Sequence, residues 1–170
     1  MNIALSGNEI MDALDGRVKL LSYDELQKYN SIDEAMYPYN KMALLYFWEF
    51  KNNVKKGHWV GVKKNKLTNT IYVMDSYGRF IDDNLKEIDD YTRKKFNEYH
   101  KQLTYLLYIS HYKVEYNENK IQQDSSAVCG RYVLYFLLRD DLDIDKFQKL
   151  FGKNYKKNDK LIIELTNKYI

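Results

Sequence analysis

Apolar positions along this chain recur in two periods, one helical and one alternating. Ile10, Met11, Ala13 and Leu14 follow Ser6-Gly-Asn-Glu9, the spacing of a helix capping box, and predict a first helix. Residues 22–36 carry a looser helical signal that Pro38 ends. Lys41 to Phe50 is apolar and aromatic without a clear period, which suits a helix and a buried strand equally. His58 to Val62 and Thr70 to Met74 are short β-branched and aromatic runs on either side of the polar stretch Lys63 to Asn69, the pattern of a hairpin. Leu85, Ile88, Tyr91, Phe96 and Tyr99 fall near a 3.6-residue period and predict a polar helix over 84–103. Tyr105 to Ser110 and Tyr112 to Tyr116 read as strands. Beyond the polar stretch Asn117 to Ser126, the run Ala127 to Leu138 predicts a buried helix opening at Cys129, followed by helices near 143–151 and 158–168. No repeat or linker interrupts the pattern, so residues 1–170 are expected to form one α+β domain.

Composition narrows the function classes. With 45% hydrophobic and 15% aromatic residues in 170, the chain has the material for a packed core. A single cysteine excludes an internal disulfide or a cysteine-rich zinc module, and three separated histidines make a metal site an unsuitable expectation. The net charge is +3, and only five of the 27 basic residues are Arg. Lysine suits phosphate attraction better than base-edge readout, so sequence-specific DNA recognition is not expected. The Lys-rich stretches Lys51 to Lys66 and Lys153 to Lys160 are solubilising surface or, as the alternative, a non-specific DNA-binding track. The opening MNIALSGNEIMDAL lacks a secretory pattern and no apolar run is long enough to span a bilayer, so neither secretion nor membrane association is expected.

Chemistry gathers at three places. A lone cysteine is by itself most often a buried, inert small hydrophobe, but Cys129 follows a polar loop and opens a helix, where amide N–H groups favour a thiolate. Gly130 behind it allows close approach of another backbone or of a substrate. A thiolate nucleophile needs a base and an orienter for that base. His58 begins the first strand of the hairpin and Asp75 ends the second, so antiparallel pairing brings them together. By spacing alone this is equally a surface histidine beside a turn aspartate. His100 and His111 lack a carboxylate at a suggestive distance along the chain.

Taken together, Gly57-His-Trp-Val-Gly-Val62, Val73-Met-Asp-Ser-Tyr-Gly78 and Gln122-Gln-Asp-Ser-Ser-Ala-Val-Cys-Gly130 resemble the adenain/Ulp1 group of papain-like cysteine proteases. The likeness is greatest to the adenovirus maturation protease and its counterparts in virophages and Maverick/Polinton-like elements. The 17-residue step from His58 to Asp75 and the seven-residue step from Gln122 to Cys129 match that pattern without a gap. The resemblance implies a small mixed sheet flanked by helices, with the nucleophile at a helix N-terminus. It implies Cys129 as nucleophile, His58 as general base and acid, Asp75 as orienter, and Gln122 as oxyanion donor beside the Cys129 amide. Gln123 is the alternative donor, because some members place that Gln six residues before the Cys. Trp59 is site-adjacent or simply a core aromatic.

Two departures matter. Asp75 stands where the adenovirus enzyme has Glu, as in other members of the group. Cys129 is the only thiol, so an activating peptide cannot be held by a disulfide and would bind non-covalently. The resemblance further implies that no cofactor is needed for the chemistry and that DNA is a candidate activator. Its expected substrates are viral capsid or core precursor proteins, cut by a monomer in the virion or in the host cytoplasm and viral factory. The alternatives are a ubiquitin/SUMO-like isopeptidase, an acyltransferase on the same type of fold, and a Lys-rich nucleic-acid-binding virion protein without activity.

Overall fold

The computed structural model describes residues 4–51, 54–96 and 100–170. Among them, five strands lie in chain order across one mixed sheet: β1 (Lys19–Ser22), β2 (Lys41–Lys51), β3 (Val54–Asn65), β4 (Thr70–Met74) and β5 (Lys113–Tyr116). The inner pairs β2–β3 and β3–β4 are antiparallel, and the outer pairs β1–β2 and β4–β5 are parallel. Parallel neighbours need crossovers. A 3-10 turn and α2 (Ile32–Met36) supply the first; α3 (Asp90–Phe96) and α4 (Gln102–Tyr108) lie in the second. The other helices are α1 (Gly7–Ala13), α5 (Cys129–Leu138), α6 (Ile144–Gln148) and α7 (Tyr155–Thr166).

The sheet separates two apolar cores. Met42, Leu44, Tyr46, Ile71 and Val73 join Leu103 and Leu106 on one side, while Ala43, Tyr72 and Met74 join α5 on the other. Strands covered on both faces lose the apolar–polar alternation of a half-exposed strand. That is why Lys41 to Phe50 has no readable period, although it forms the 11-residue strand β2.

The Ser6–Glu9 capping box forms as expected, and so do the hairpin and the buried helix that opens at Cys129. Two expectations are corrected, and one strand is additional to them. Tyr105 to Ser110 is not a strand: α4 buries Leu103, Leu106 and Leu107 and leaves Tyr105 and Tyr108 outside, so leucine spacing decides over tyrosine β-propensity. The continuous helix over 84–103 is broken into a 3-10 turn (Asp83–Glu87), α3 and the start of α4, and Tyr99 lies outside the described residues. Strand β1, four residues long, was not expected.

Lys63 belongs to β3 rather than to the polar turn. Its buried Nζ donates to the carbonyls of Phe136 (2.9 Å), Arg139 (2.9 Å) and Leu142 (2.6 Å), closing the C-terminal end of α5. Lys63→Met is therefore expected to cost about 2–3 kcal/mol of stability, because these carbonyls lose a charged donor. A denaturant midpoint unchanged by the substitution would contradict this role for Lys63.

Candidate active site

The hairpin register positions the first two groups. Gly61 pairs with Met74 at the end of the β3–β4 ladder, so His58 lies beyond that pair on β3 while the chain turns at Asp75. Gly78 closes the turn by donating its N–H to the Asp75 carbonyl at 2.8 Å. It needs φ +68°, and a Cβ there would stand 2.5 Å from the Lys120 nitrogen, so only glycine fits. His58 and Asp75 are 1% and 4% exposed. His58 Nε2 lies 2.7 Å from Asp75 Oδ1.

Asp75 is held at every polar atom. Oδ1 also accepts from the Tyr77 N–H at 2.9 Å, and Oδ2 accepts from Asn84 Nδ2 at 2.6 Å. The Asn117 side chain accepts from the Asp75 N–H and donates to its carbonyl. Such a carboxylate is fixed in position as well as in charge. The His58 ring is stacked against Trp48 and Tyr77, with centroids 5.0 Å and 4.8 Å away.

Cys129 reaches the pair from α5. Its sulfur is hydrogen-bonded to the His58 ring and receives the backbone N–H groups of Trp59 and Gly130. With Nε2 committed to Asp75, Nδ1 is the ring nitrogen left for sulfur. Burial opposes charge on all three groups, and each charge overcomes it through its partners. Against burial, the Asp75 carboxylate and Cys129 raise His58 to about 9. Against burial, His58 and the two amides hold Cys129 below the ordinary thiol range, and His58, Asn84 and the Tyr77 amide keep Asp75 low. These shifts run in the direction that favours a thiolate on Cys129 and an imidazolium on His58.

The pair opens into a cleft of about 660 Å³ whose walls include Leu5, Phe47, Trp48, Trp59 and Tyr77. Trp59 serves both readings given to it: it packs against the core beside α5 and lines the cleft. At Gly130 a Cβ would stand 3.2 Å from the Trp59 ring and 3.1 Å from Leu5 Cβ, so glycine allows α5 to approach both.

Gln122 and Gln123 differ in burial, and neither lines the cleft. Gln122 is fully buried, its Oε1 accepting from Ser76 Oγ and its Nε2 donating to Ser126 O and Oγ, both at 2.9 Å. Gln123 is exposed and uses its backbone N–H on Asp159. His100 and His111 are exposed and lie outside the cleft. Among the described residues no group of three or more His, Cys, Asp or Glu side chains is placed to hold a metal, and no helix is long and apolar enough to cross a membrane. Trp48, Asn84 and Asn117 were not anticipated at the site. Trp48 is one of several aromatics in its run, and a lone Asn carries no motif.

No protein-family model matches the chain. It is 36% identical over 149 residues to uncharacterized protein V9 of Sputnik virophage, covering 86% of this chain and 82% of that protein. The chain belongs to the V9 family. Among solved structures, this V9-family chain is similar to the pS273R protease of ASFV (TM-score 0.52, 16% identity, 96% of this chain and 68% of that one). It is also similar to ChlaDub1 of Chlamydia trachomatis (TM-score 0.55, 11% identity, 99% and 93% covered). At such identities the likeness establishes the fold of the V9-family chain: a mixed α+β protease fold with helices on both faces of the sheet.

Proposed function

We propose that this chain is a cysteine endopeptidase that cleaves viral capsid or core precursor proteins during virion maturation. The observation that carries the reading is the buried Cys129–His58–Asp75 line, with its sulfur at a helix N-terminus and at the edge of an open cleft. The virophage relative supports the viral setting, and the motif resemblance to the adenovirus maturation protease supports the substrate class.

In the first step the Cys129 thiolate attacks the scissile carbonyl. His58 gives its Nδ1 proton to the leaving amine, and a thioester forms on Cys129. His58, now neutral, takes a proton from water, whose oxygen attacks the thioester. The acid product leaves as the thiolate and imidazolium return. Throughout, Asp75 fixes the ring through Nε2.

The oxyanion donors of this reading are the Cys129 backbone N–H and Gln122, which turns one Nε2 hydrogen from Ser126 to the substrate. Gln122→Ala is then expected to lower kcat by ~10²-fold or more, and Gln123→Ala to leave it near wild type. An unimpaired Gln122→Ala would remove Gln122 from the oxyanion site.

The ionisation states set the pH profile. Activity is expected to rise as Cys129 loses its proton, below the ordinary thiol range, and to fall near pH 9 as His58 loses the proton the leaving amine needs. A basic limb set by the ordinary histidine value would contradict the pairing.

The substrate class is tested by incubating candidate virion precursors and ubiquitin-like fusions with wild type and with Cys129→Ala. Cleavage of precursors by wild type alone is expected. Cleavage confined to the fusions would favour the isopeptidase, and cleavage by both proteins would exclude Cys129 as nucleophile.

A further inference from the structure

The Asp75 carboxylate depends on an amide that can turn over. Asn84 is buried, 2% exposed, and donates Nδ2–H to Asp75 Oδ2. A carboxamide has nearly the same shape when rotated by half a turn. Rotated, it would set its oxygen against the carboxylate. Arg79 decides between the two states, because its Nη1 donates to Asn84 Oδ1 at 2.6 Å and a guanidinium has no acceptor to offer an N–H. The same guanidinium lies 4.9 Å from the Trp48 ring centroid and 5.0 Å from that of Tyr77, the two rings stacked on His58. Arg79 thus touches both supports of the His58–Asp75 pair without touching the pair itself.

We propose that Arg79 is a positioning residue for the thiolate–imidazolium pair, acting through the fixed orientation of Asn84; the proposal rests on the cysteine-protease reading above. The turn itself does not need Arg79. Its backbone is closed by the Gly78 N–H and clamped by Asn117. What Arg79 adds is the sense of the Asn84 amide. The charged and titratable groups around this cluster include Cys129 from α5, Tyr46 from β2 with the buried Asp82 carboxylate to which it donates, Tyr77 from the turn, Glu87 at 3.8 Å from Arg79, and Lys120 and Asp124 around Tyr77. None of them bonds Asn84 Oδ1 in this structure, where Arg79 Nη1 is the donor to that oxygen.

Alkylation of Cys129 by iodoacetamide, followed from acid to alkaline pH, reads the pair without a peptide substrate, and with one cysteine in the chain the label reports that site alone. Arg79→Met keeps an apolar stem on the two rings and removes the fork. It is expected to shift the labelling profile upward by about one pH unit, making alkylation about tenfold slower on the acid side. Arg79→Lys, which keeps a charged donor, is expected to restore most of that loss. In an Asn84→Ala background, Arg79→Met should slow labelling no further, because the route to Asp75 is already cut. A profile of Arg79→Met that superimposes on wild type would overturn the proposal. So would a tenfold loss that persists in the Asn84→Ala background, which would mark a direct field effect. A wild-type profile matching that of the unfolded chain would remove the ion pair itself, and the proposal with it. The Arg79 side chain is 26% exposed, and Arg79→Lys, at nearly unchanged volume and with a charged donor kept, is the control that separates loss of the donor from loss of packing.

Discussion

Cys129→Ala is expected to lower peptide hydrolysis by a factor on the order of 10⁴–10⁶, the largest effect of any single substitution in this chain. The reaction passes through a bond to sulfur, and Cys129 is the only sulfur nucleophile present. The substitution removes little else. Cys129 is the first residue of α5, and the packing of that helix comes from Tyr132, Val133, Phe136 and their neighbours, all fully buried. The variant should therefore fold and bind substrate, so that loss of turnover with retained binding separates chemistry from stability. Turnover within tenfold of wild type would exclude the proposed nucleophile. Cys129→Ser keeps the shape but offers a hydroxyl that His58 does not hold ionised, and it is expected to lose nearly as much.

The second large effect is expected for Asp75→Asn. The carboxylate now accepts from three donors: His58 Nε2, the Tyr77 N–H and Asn84 Nδ2. An amide at this position can accept on one side only. If its oxygen faces His58, its N–H₂ meets Asn84 Nδ2–H₂; if it turns over, its N–H₂ meets His58. Either way a buried donor loses its partner, and the charge that raises His58 to about 9 is gone. Burial then lowers the imidazole pKa, and with it the share of thiolate at neutral pH. The expected outcome is a loss of about 10²–10⁴-fold in kcat, with the basic limb of the pH profile moved to lower pH. A variant with reduced kcat and an unmoved basic limb would mean that Asp75 does not act through His58.

Much of this site is legible in the sequence because it is built from local features. His58 sits on β3 and Asp75 directly follows its antiparallel neighbour β4, and hairpin pairing is the one long-range contact that spacing predicts well. Cys129 opens a helix whose apolar run announces it. The supports are another matter. Trp48 reaches His58 from β2, Asn84 lies in a 3-10 turn nine residues after Asp75, and Asn117 follows β5. Their contacts depend on sheet order and on how the crossover returns, which no local period encodes. The same limit applies to Lys63, whose charge reads as a turn until the end of α5 is placed above it. In α4 the conspicuous aromatic residues are not the ones that set the structure. Tyr105 and Tyr108 have strand propensity but face outward, while the less conspicuous leucines hold the helix to the core.

The most direct test of the central claim is a titration of the thiolate by its ultraviolet absorbance, in wild type and in His58→Ala, with Cys129→Ala as the blank. With a single cysteine in the chain, the difference signal belongs to Cys129. The assembled pair predicts a thiolate already present near neutral pH in wild type, lost only well below the ordinary thiol value of about 8.5. In His58→Ala burial goes unopposed by the imidazolium, and the thiolate should appear only above that value. A wild-type thiol that titrates near 8.5 or higher, with no change on removing His58, would contradict the account.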